Sequence, residues 1–121
     1  MSLASDALNG VGLWITRRER KNERDDAAIG SVLAAVNATK RYLAQRDRGD
    51  PIDREVEGKL VELWTSAAVH IRRSDRDLAA RLQDKAAYWT NPENWTAQEV
   101  SDNRIQIDDI AEEGKRLLRQ I

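Results

Sequence analysis

The chain has 121 residues, no cysteine and a formal net charge of −1, with 40% apolar and 34% charged residues. This is the length of one domain, with enough apolar content for a core. It excludes disulfides, thiol catalysis and cysteine-ligated zinc, and no global field draws it toward nucleic acid or anionic lipid.

A cysteine-free chain suits a reducing, cytoplasmic setting, and no apolar run approaches the roughly 18–20 residues that span a bilayer. Near the amino end Leu8, Val11 and Ile15 keep helical spacing, while Leu13 points elsewhere and Trp14 sits on the margin. A segment apolar on several sides needs cover. A second copy of the chain, the rest of the same chain, or another partner such as a membrane surface could provide it. Arg17 and Arg18 follow this segment, the reverse of a secretory leader, and Trp14 followed by arginines suits a bilayer surface. Gly10 and Gly12 weaken the segment as a free-standing helix.

The stretch RRERKNERDD, Arg17 to Asp26, holds five positive and four negative charges. A nucleic-acid arm needs unopposed cations. Mixed signs three and four residues apart point instead to a water-facing helical spacer, worth a few tenths of a kcal/mol per good pair. Stepping by sevens from Leu8 meets Ile15, Asn22, Ile29, Val36 and Leu43, so the register survives the charged run. The expectation is one long helix over about 6–46. The alternative is a second helix capped by Asp25-Asp26.

Asp50-Pro51 has the form of a cap followed by proline at the first helical position. The next stripe is Ile52, Val56, Leu60, Leu63, Ala67 and Ile71, widened by Trp64. Ser74 with Asp77 resembles a capping box for a third helix striped by Leu78, Leu82, Ala86 and Trp89, which Asn91-Pro92 stops. Thr96 with Glu99 is a stronger box, with Trp95 and Val100 as a staple pair. From there Val100, Ile107, Ile110, Ala111, Gly114, Leu117, Leu118 and Ile121 suggest one helix to the end. The expected fold is all-α: an antiparallel four-helix bundle with a long N-terminal helix, straight or kinked. Residues 1–26 form its apolar segment and charged spacer, and 27–121 the bundle.

Chemistry is sparse. His70 is the one histidine and lacks the Glu-x-x-His or H-E-x-x-H spacing of a metal site. Asp108, Asp109, Glu112 and Glu113 could offer oxygens to magnesium, but a solvated acidic face explains them as well. Tyr88, Trp89 and Trp95 around Pro92 read either as a stacking platform or as a plug at one end of the bundle. Arg48-Gly49-Asp50 reads as a turn. No catalytic residue, cofactor or metal is expected. The functional expectation is a protein interaction or assembly module, not an enzyme, self-associating through Leu8, Val11, Leu13, Trp14 and Ile15. The partner would be a second copy or another protein. The alternative is a nucleic-acid accessory domain using Arg41, Arg46 and Arg48 with Arg72 and Arg73; residues 27–50 carry net +2.

Overall fold

The computed structural model describes the backbone of residues 3–103 and 105–120 and the side chains of residues 23–103 and 105–119. Helix α1 runs without interruption over Leu3–Asp47, 45 residues. No second helix starts at Asp25-Asp26: Asp25 does not cap but accepts the Ser74 hydroxyl at 3.1 Å, across the fold. At the other end Gly49 takes φ 98°. Its N–H donates to the Arg46 carbonyl and that of Asp50 to the Gln45 carbonyl, each at 3.0 Å. This pair of bonds is a Schellman stop, and the positive φ is the reason a glycine stands there.

Helix α2 spans Arg54–Ile71 and α3 Arg76–Thr90. Both start later than the sequence suggests. The Asp53 carboxylate, not Asp50, caps α2 by accepting from the N–H groups of Glu55 and Val56 at 3.1 and 3.2 Å. The Asp50 N–H serves the stop of α1, Pro51 and Ile52 form the connector, and Ile52 is 48% exposed instead of joining the stripe. Asp75, not Ser74, caps α3, accepting from the Leu78 N–H at 2.9 Å. Asn91 ends α3, and a single 3-10 turn, Pro92–Asn94, follows.

The Thr96–Glu99 capping box forms in both directions and opens α4, Ala97–Asp102. The expected continuous last helix is broken here, and α5 covers Ile107–Gln120. Ser101, Asp102 and Asn103 are poor helix interiors because their side chains compete for backbone groups. Asn103 does so, its Nδ2 donating to the Glu99 carbonyl at 2.9 Å. The break lets Ile105, 0% exposed, enter the core. Val100 and Ile107 are seven apart, so the apolar phase crosses the gap unchanged and conceals it in the sequence.

The fold is all-α, a helical bundle with no strand among the described residues. Helix α2 packs against both α1 and α3, and α5 packs on α1. Trp64 lies at the centre with no exposed surface, and its Nε1 donates to Thr39 Oγ1 at 3.0 Å. Around it pack Ile29, Val32 and Val36 of α1, Leu60 and Ile71 of α2, and Leu78 and Leu82 of α3. Helices α1 and α5 approach closely at Gly114, where an added Cβ would meet Leu33 Cδ2 at 3.3 Å.

Candidate functional site

The chemistry concentrates at the two ends of α2. At its amino end Tyr42 of α1 donates its hydroxyl to Glu57 Oε2 at 2.7 Å and accepts from the Asp53 N–H at 3.0 Å. Arg54 Nη1 donates to Glu57 Oε1 at 2.6 Å, and Nη2 of the same residue bonds Glu93 beyond α3. Burial raises the Tyr42 pKa, opposed in part by the Asp53 N–H; the Arg54 hydrogen bond holds the Glu93 carboxyl below its ordinary value. One buried carboxylate thus ties α1 to α2, and its arginine partner reaches the turn after α3.

Beside this network Trp89 meets Tyr42 and Tyr88 edge-on, with centroids 5.7 and 5.0 Å apart, and Tyr88 meets Trp95 at 6.3 Å. Trp89 is buried, so the cluster is a plug and not a platform. Its Nε1 has no hydrogen-bond partner among the described residues. Lys85 is only 5% exposed, with Nζ 5.0 Å from the Tyr88 ring centroid and 5.9 Å from that of Trp89. Burial pushes its pKa down to about 8, because the rings replace only part of the lost hydration.

The carboxyl end of α2 is open. A surface recess of about 840 Å³ lies where α1 passes the α2–α3 turn. Ala27 and Val69 supply its apolar surface, and Arg24, His70, Arg72 and Arg73 its basic surface. The Ser74–Asp25 hydrogen bond joins the turn to α1 at the same place. Arg72 and Arg73 also line an adjoining recess of about 630 Å³ with Arg76. Among the described residues none of these three arginines forms an ion pair.

The side chains of Leu8, Val11, Leu13, Trp14 and Ile15 lie outside the described residues; the backbone places all five within α1. His70 is exposed and its Nδ1 lies 2.7 Å from the Ser66 carbonyl one turn back, with no carboxylate bonded to it among the described residues. In the acidic group Glu112 pairs with Lys115 at 3.8 Å and Glu113 with Arg116 at 2.6 Å. No group of three or more histidine, aspartate or glutamate side chains placed to hold a metal occurs among the described residues. Arg48-Gly49-Asp50 forms the Schellman turn, where Arg46 Nη1 donates to the Asp50 carbonyl at 2.7 Å.

The five arginines of the basic surface divide between the two ends. Arg41, Arg46 and Arg48 stand where α1 leads into α2, and Arg72 and Arg73 follow the far end of that 18-residue helix, about 27 Å along its axis. The fold instead brings Arg24 and Arg76 to Arg72 and Arg73. Local spacing could not have found this group, because Asp25 and Ser74, which mark the junction, are 49 residues apart.

No helix among the described residues is long and apolar enough to cross a membrane. No family model, curated protein or solved structure matches the chain.

Proposed function

We propose that this chain is an interaction or assembly module that self-associates through the amino-terminal part of α1, with Leu8, Val11, Leu13, Trp14 and Ile15 as the associating residues. The observation that carries the reading is the continuity of α1: one helix joins this segment to the bundle, and its first buried bundle residue is Ala28. The 25 residues from 3 to 27 amount to roughly 35–40 Å of helix. The charged part of it, Arg17 to Asp26, amounts to about 15 Å, and a helix holds an apolar segment at a defined distance and direction, which a flexible linker would not do. The bundle core is closed by its own side chains, including the Trp89 plug, so the apolar surplus upstream is the feature in search of cover. The cysteine-free composition suits work in a reducing compartment such as the cytoplasm.

Sedimentation equilibrium of the whole chain against a version lacking residues 1–16 tests the reading. The whole chain should show a concentration-dependent mass above that of the monomer, and the shortened one should remain monomeric. Equal monomer masses for both would remove self-association. Leu13→Glu with Trp14→Glu should reproduce the truncation if apolar contact, and not helix length, drives it.

A further inference from the structure

We infer that the recess between α1 and the α2–α3 turn is a binding site for a phosphomonoester that carries a small apolar body, with Arg72 and Arg73 holding the phosphate. This site is independent of the association proposed for the amino-terminal segment.

Three observations converge on it. Arg72 and Arg73 are adjacent, exposed and without ion-pair partners among the described residues, although acidic side chains are about as numerous in the chain as basic ones. Arg54 is paired with Glu57 and Glu93, Arg116 with Glu113 and Arg46 with a carbonyl, whereas Arg72 and Arg73 share their unpaired state with Arg41, Arg48 and Arg119 among the described residues but are the ones that line a recess. A guanidinium presents a planar fork of donors that matches phosphate oxygens, and two side by side can hold one dianion between them.

Second, Asp25, the one carboxylate in the lining, accepts the Ser74 hydroxyl at 3.1 Å. That bond fixes the turn bearing the arginines against α1, so the recess is shaped before a ligand arrives. Third, Val69 is 54% exposed and lies in the recess with Ala27. An isopropyl group left in water beside two guanidinium groups suits a ligand with both an apolar part and an anionic part. A volume of about 840 Å³ accommodates a ligand of that size.

The same facts disfavour a nucleic-acid strand. A strand needs a track of cations, whereas the other arginine group lies about 27 Å away beyond the length of α2. The surroundings of the recess also carry Asp75 and Asp77, which confine the positive region to the turn itself.

The test is a titration of the full-length, isotope-labelled chain with 1-naphthyl phosphate, 1-naphthol and inorganic phosphate, followed by nuclear magnetic resonance. The amides of Val69 and Ser74 and the ring of His70 are the reporters. Saturable shifts confined to these residues are expected, with naphthyl phosphate binding at least about tenfold more tightly than naphthol. Arg72→Gln with Arg73→Gln should weaken it about tenfold or more while the helical circular dichroism and thermal midpoint stay unchanged. Removing residues 1–16 should leave the binding intact, which separates this site from the association reading. Equal affinity for naphthol, or a double variant that binds like the parent, would overturn the proposal.

Vesicles of phosphatidylcholine with and without phosphatidic acid identify the source of the phosphate. Arginine-dependent sedimentation with phosphatidic acid assigns a lipid headgroup; naphthyl phosphate binding without vesicle binding assigns a soluble ligand. An oligonucleotide that binds more tightly than naphthyl phosphate and with a steep salt dependence would replace the site with a nucleic-acid surface.

Discussion

At its amino end α2 starts inside a closed polar network; at its carboxyl end the chain turns with three arginines lacking ion-pair partners among the described residues. The first end joins Tyr42, Asp53, Arg54, Glu57 and Glu93 to one another around the buried Tyr42 and Glu57, while Arg54 and Glu93 stay more than half exposed. The second joins its turn to α1 through the Ser74–Asp25 hydrogen bond and leaves Arg72, Arg73 and Arg76 exposed, without ion pairs among the described residues. The same helix thus carries a structural end and an available end. Burial separates them: a polar group removed from water must be partnered, while an exposed one need not be.

Mutations can break or sharpen this contrast. The largest effect belongs to the middle that both ends share. Trp64→Ala should cost about 3–5 kcal/mol in urea unfolding, since it opens a cavity and leaves Thr39 without its partner. Next comes the structural end, where Glu57→Ala should cost about 2–3 kcal/mol by removing the acceptor shared by Tyr42 and Arg54. If that loss were no larger than for Arg72→Gln, the contrast between the ends would fail.

Lys85→Met should act in the opposite direction, stabilising the protein by about 1–3 kcal/mol at pH 7, because it removes a desolvated cation that has ring contacts but no ion pair among the described residues and keeps the stem's packing. The pH dependence has a defined sign. Burial lowers the folded-state pKa of Lys85 to about 8 from 10.5, so below pH 8 folding carries the full cost of burying the charge. As pH rises from about 8 toward 10.5 the folded state sheds its proton first and that cost fades. The stability gap between Lys85→Met and the parent should therefore shrink over this window. The difference is the quantity to follow, because Tyr42 and Tyr88, whose pKa values burial raises, lose stability of their own at the alkaline end. A gap independent of pH would show that Lys85 keeps its charge without penalty.

The smallest effect is expected at the available end. Arg72→Gln and Arg73→Gln should each change stability by no more than about 0.5 kcal/mol, as surface substitutions without partners do. A larger loss would mean that the turn needs these side chains for folding, and the ends would then be alike.

What the sequence determined was local and periodic. The four residues Leu78, Leu82, Ala86 and Trp89 are all buried, and the Thr96–Glu99 box forms as its spacing dictates. The seven-step register through the charged run also foretold a single α1, because helical phase depends only on neighbours within a turn or two. The tertiary structure decided where competing local signals won. Asp53 and Asp75, not Asp50 and Ser74, are the caps, while the Asp50 backbone closes the stop of α1 and the Ser74 hydroxyl donates to Asp25. It also decided that Ile105 turns inward, through a break that leaves the apolar phase intact. Arg72 and Arg73 were legible as a basic pair, but the recess they line with Arg24, Asp25 and Ala27 belongs to this second class. Its two walls come from segments 49 residues apart, and no rule acting over one helical turn can bring them together; the packing of α1 against α2 does.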